Sequence, residues 1–70
     1  MTDAMRERII ETARNTFENT YAQYDFRKAV VLTAFFRDGM IYGSQDAKII
    51  NAINALWDEF RLNELAKLVT

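Results

Sequence analysis

The sequence predicts an all-α fold: a compact bundle of three helices with a short fourth helix at the C-terminal end, assembling as a homodimer. Three observations lead there. Apolar residues recur three and four positions apart along most of the chain. There is no proline, and the only glycines are Gly39 and Gly43, so little interrupts a helix. Small polar residues that cap helices stand ahead of the periodic segments. With 70 residues, positions 1–70 suffice for one domain around one small core.

The first helix is expected over about 3–22, capped by Thr2 or Asp3, with Ile10, Ala13, Phe17, Tyr21 and Tyr24 along one side and Met5 and Ile9 beside them. At about 100° per residue a second side is charged, with Glu7, Glu11, Arg14 and Glu18. The third is polar but uncharged and carries Thr12, Asn15, Thr16, Asn19 and Gln23. Such a face is ordinarily solvated. As a contact rim it has the advantage that amides and hydroxyls lose water more cheaply than charges do.

Asp25 is placed to cap the second helix, expected over 26–37, whose run from Phe26 to Phe36 is apolar on nearly every side. The helical wheel centres its core side near Ala29, Leu32, Thr33 and Phe36, and Gly39 is expected to supply a left-handed C-terminal residue. A β-hairpin over 30–42 competes, because Val30, Val31, Thr33, Phe35 and Phe36 favour strands and Asp38-Gly39 is a turn signal. The run does not alternate polar with apolar, which favours the helix.

Ser44 is the expected cap of a third helix over 45–60, with Asp46 in its first turn. Its core face is Ile49, Ile50, Ile53, Leu56, Trp57 and Phe60. Past Phe60 the apolar phase shifts to Leu62, Leu65 and Val69. A break near 61–63, with Asn63 capping a fourth helix over 63–69 that folds back on the core, accommodates the shift. The alternative is an unbroken helix whose last turns offer an apolar face to another molecule.

Little chemistry fits this composition. Without Cys or His the chain lacks a thiol nucleophile, a thiolate zinc site, the commonest metal ligand and the commonest general base. Asp3, Glu7 and Glu11 recur every four residues, yet Arg8 and Arg14 beside them point to charge balancing rather than to a cation site. The stretch 38–46 lacks the alternating acids of a calcium loop, the glycines fit no phosphate-binding pattern, and capping accounts for Ser44. The expectation is a non-enzymatic protein with no cofactor, no metal and no small-molecule substrate. No signal-peptide core or membrane-length apolar run occurs, so a cytoplasmic location and no membrane partner are expected.

The wheel of the second helix turns Val31 and Phe35 away from its core side. Together with Tyr42, Leu62, Leu65 and Val69 they make a candidate protein interface, with Thr12, Asn15, Thr16 and Asn19 as its rim. The expected partners are a second copy of the chain and a further, unidentified protein. The function expected is that of a small regulatory or inhibitory protein, resembling in size and lack of chemistry, though by no shared motif, the accessory proteins of phages and mobile elements.

Two other functions fit the same chain. One is a dimeric DNA-binding regulator using Arg27, Lys28, Arg37 and Lys48, although a net charge of -1 and interleaved acids argue against a basic patch. The other is a structural subunit of a larger assembly.

Overall fold

The computed structural model describes residues 2–69. Three helices fill that span: α1 is Asp3–Gln23, α2 is Phe26–Tyr42 and α3 is Ala47–Leu68, each packed on the other two. No strand occurs among the described residues, so 30–42 is helix throughout, not hairpin. Contacts give the directions. Arg6 meets Asp46 and Phe17 meets Phe60, so α1 and α3 run parallel. Tyr21 packs near Phe26, and Trp57 reaches Thr33, so α2 runs antiparallel to both. The up-down-up bundle measures 40 × 19 × 17 Å.

Each helix starts on an oxygen acceptor from the sequence. Thr2 Oγ1 accepts from the Met5 N–H at 3.2 Å, and Asp25 accepts from the Lys28 N–H at 2.9 Å. The third cap corrects expectation. Asp46, not Ser44, is the N-cap of α3, accepting from the N–H groups of both Lys48 and Ile49, while Ser44 Oγ accepts from the Asp46 N–H. A carboxylate is the better acceptor at the positive end of a helix, and this one is also tied to Arg6 of α1.

The ends of α2 and α3 also differ from expectation. α2 does not stop at Arg37. It continues to Tyr42, with no glycine at positive φ. Gly39 is an interior helical residue, and its left-handed role is not taken up. One interior glycine costs only about 1 kcal/mol, and the extra turn lets Met40 and Ile41 pack against the core. α3 likewise runs unbroken to Leu68, so no separate fourth helix forms over 63–69. No Gly or Pro lies between Phe60 and Leu68, and Leu62, Glu64, Leu65, Ala66 and Lys67 are good helix formers, so nothing offsets the hydrogen bonds a break would lose.

The core is small. Ala13 and Phe17 of α1 and Ile49, Ile53 and Leu56 of α3 form its centre, with Ile10, Met40, Ile41, Trp57 and Phe60 packed against it. α2 enters through small side chains: Ala29 and Thr33 are fully buried, which lets its backbone lie close to its neighbours. That close fit moves Phe36, expected in the core, to the edge, where it is 42% exposed.

Candidate functional site

α2 carries an uncovered apolar stripe. Val31, Phe35 and Tyr42 are spaced four and seven apart and fall within about 40° of one another around the helix, opposite Ala29 and Thr33. Val31 is 52% exposed, Phe35 68% and Tyr42 93%. Tyr42 is the last residue of α2 and not part of a loop, so its ring continues the stripe to the end of the helix.

Leu62, Leu65 and Val69 are also exposed, joined by Leu68, which the sequence reading passed over although it stands three residues after Leu65. The antiparallel register, with Thr33 beside Trp57, puts Leu62 and Leu65 level with the start of α2. Tyr42 lies at the other end of the bundle. The structure thus places the six residues as two apolar areas, a stripe along α2 and a terminal area on α3.

The expected rim lies on α1. Thr12, Asn15 and Asn19 are exposed, and Thr16 is half-buried. Thr12, Thr16 and the buried Thr20 each donate their hydroxyl to the carbonyl four residues back, at 2.9, 2.8 and 2.7 Å. Those donors are already used inside the helix, which leaves the amides of Asn15 and Asn19 as the groups on this face best able to meet a partner.

The basic residues do not gather. Arg27 and Lys28 sit in the first turn of α2, with Lys28 Nζ 5.0 Å from the centre of the Tyr24 ring. Arg37 is ten residues further along, about 15 Å at 1.5 Å per residue, stacked 4.3 Å from the Trp57 ring centre and bonded to Asp38. Lys48 belongs to the first turn of α3, at the end of the bundle away from Arg27 and Lys28.

Sequence reasoning missed a polar junction between the helices. Thr33 Oγ1 donates to the Ala29 carbonyl at 2.7 Å and accepts the Trp57 indole N–H at 3.0 Å. Arg61 lies over the same indole, 5.3 Å from its centre. The Tyr21 hydroxyl and Arg61 Nε are buried with no hydrogen-bond partner among the described residues. Burial pushes the Tyr21 phenol above its usual range, with Thr33 and the Arg61 charge opposing, so it stays neutral at physiological pH. The signal for this junction was a threonine in the middle of an apolar helix, a group that must find a partner once buried.

At the other end, Arg6 Nη2 lies 2.9 Å from Asp46 Oδ2, with both side chains less than one-fifth exposed. The Arg6 hydrogen bond, opposed by burial and aided by the Lys48 and Ile49 N–H groups, holds the Asp46 carboxyl below its usual range, and Asp46 raises the Arg6 guanidinium. This clasp ties the starts of α1 and α3 together. Of the helix-1 carboxylates, Asp3 pairs with Arg6 and Glu11 with Arg14. No acidic cluster among the described residues is arranged to hold a metal ion.

Two of the shallow concavities are lined in part by exposed apolar side chains. One, of about 350 Å³, is lined by Ile9, Met40, Gly43, Ser44 and Ile49. The other, of about 230 Å³, lies at the far end among Tyr21, Tyr24, Phe26, Glu64, Lys67 and Leu68. Neither gathers a set of convergent polar groups of the kind that orients a small molecule. No helix among the described residues is long and apolar enough to cross a membrane. Comparison with known proteins yields no match: no family model, curated protein or solved structure is significantly similar to this chain.

Proposed function

We propose that the protein is a small, non-enzymatic regulatory or inhibitory protein that self-associates and binds another protein through Val31, Phe35 and Tyr42 of α2 and Leu62, Leu65 and Val69 at the end of α3. The observation that carries this reading is the uncovered stripe on α2, where Phe35 leaves 68% of its surface in water in a chain with few buried apolar side chains to spare. Covering one such side chain contributes about 1.5–3 kcal/mol, so a partner for this face is strongly favoured. The dispersal of Arg27, Lys28, Arg37 and Lys48 supports a protein partner over a nucleic acid, whose phosphates select for clustered positive charge.

The test is affinity capture from lysate of cells that express the protein, with and without nuclease, using tagged wild type and Phe35→Glu. The expected result is one protein recovered in stoichiometric amount by wild type under both conditions and lost with a Phe35→Glu variant of unchanged helical circular dichroism. Recovery that depends on intact nucleic acid would replace this reading with a DNA-binding one. Growth of the purified protein into open-ended oligomers would replace it with a structural subunit.

A further inference from the structure

We propose that the α2 stripe is the seam of a closed, antiparallel two-fold dimer in which Val31 of one copy packs level with Phe35 of the other, and Arg27 and Lys28 of one copy face Asp38 of the other. This rests on the self-association reading above and gives it a geometry. The argument begins with charge. α2 has no acidic residue in its first turn and no basic residue in its last. Beyond the Asp25 cap and Arg37, which stacks on Trp57 and bonds to Asp38, it has Arg27 and Lys28 near its positive end and Asp38 near its negative end, the reverse of what suits its own dipole. Arg27 has no ion pair among the described residues, Lys28 meets only the Tyr24 ring, and Asp38 keeps 62% of its side chain exposed after bonding to Arg37. A second α2 laid antiparallel brings an end of opposite sign beside each of these residues. A parallel one brings like charges together.

The register follows from the spacing. Val31 and Phe35 are equidistant in sequence from position 33, and so are Lys28 and Asp38. A two-fold axis at that level therefore matches apolar with apolar and charge with opposite charge in one arrangement, as an isologous contact requires. Gly39 then lies level with Arg27 of the second copy. A Cβ there would meet nothing within the protein, so the glycine serves no intramolecular contact, and its bareness leaves room for the long Arg27 side chain to reach Asp38.

Charge reversal tests this in the whole chain, with dimerisation followed by sedimentation at several concentrations. Arg27→Glu with Lys28→Glu weakens the dimer about tenfold or more, and so does Asp38→Lys. Mixing the two variants, or combining all three substitutions in one chain, restores it. A wild-type dimer indifferent to both variants, or not restored by the combination, overturns the seam while leaving self-association standing. A wild type that stays monomeric at high concentration overturns self-association itself.

Because the chain has no cysteine, crosslinking checks the register without touching charge. Oxidising a mixture of Val31→Cys and Phe35→Cys chains should give mainly the mixed disulfide. Predominance of same-residue crosslinks overturns the proposed register.

Discussion

Thr33 and Trp57 show how one polar pair orients two helices. The Thr33 hydroxyl has no exposure, so its bonds to the Ala29 carbonyl and the indole N–H replace water and hold the α2–α3 register. Thr33→Val keeps the shape and removes the acceptor, which should cost about 1–3 kcal/mol. Urea unfolding followed by far-ultraviolet circular dichroism measures it. Combined with Trp57→Phe the two losses should sum to less than their separate values, because they break the same bond. Full additivity would show that the pair does not interact.

The Arg6–Asp46 clasp acts through pH. The Asp46 carboxyl is depressed in the folded state relative to the unfolded chain, so the folded state binds fewer protons there. Its contribution is present above the unfolded carboxyl range, about pH 4, and is lost as pH falls through the folded value. Asp46→Asn keeps a capping oxygen and removes the charge. The melting temperature of this variant should fall less steeply below about pH 4 than that of wild type. An identical acid limb would show that other carboxylates govern acid unfolding.

At the scale of the element, α2 trades stability for surface. Gly39 sits inside the helix in ordinary helical conformation, with open space where a Cβ would be. Gly39→Ala should therefore stabilise the monomer by about 0.5–1 kcal/mol, read as a rise in the melting temperature of dilute protein. A fall would mean that the glycine meets a contact within the monomer. In α3 the unbroken helix leaves Leu62 and Leu65 on an outer face, so Leu65→Glu should preserve the helical circular dichroism. Global unfolding would show that the last turns are needed by the core.

These elements also mark what was legible in the sequence. The centres of the α1 and α3 faces follow from spacing, because each buries one stripe and wets the rest, but Tyr24, expected on the α1 stripe, lies past the end of the helix and is exposed. The outward turn of Val31 and Phe35 was legible for the same reason. The end of α2 was not, because a glycine that can stop a helix can also be carried inside one when Met40 and Ile41 gain packing beyond it. The phase shift at Leu62 was visible, but choosing between a broken helix and an exposed stripe depends on whether a partner covers it. Thr33 inside an apolar helix signals that a partner is needed, but the Thr33–Trp57 bond joins residues 24 apart, so nothing local says which residue supplies it.

For the whole molecule, size is the controlling fact. A chain of 70 residues buries a smaller fraction of its surface than a larger domain does, and the fully buried side chains here number few that are large: Phe17, Ile49, Ile53 and Thr33. Net stability is a small difference between burial and chain entropy, so covering Val31 and Phe35 in a dimer shifts that difference appreciably. If folding and pairing are linked in this way, stability must rise with protein concentration. Each tenfold increase adds about 1.4 kcal/mol per dimer, or about 0.7 kcal/mol per chain. For a domain of this size that corresponds to a rise of about 3–6 °C in melting temperature. Calorimetry or circular dichroism across a hundredfold concentration range reads it directly. Phe35→Glu should abolish the dependence while matching wild type at the lowest concentration, where both are monomers. A wild-type melting temperature that does not move with concentration would mean that the monomer carries its exposed stripe unaided, and that the stripe is kept for a partner other than itself.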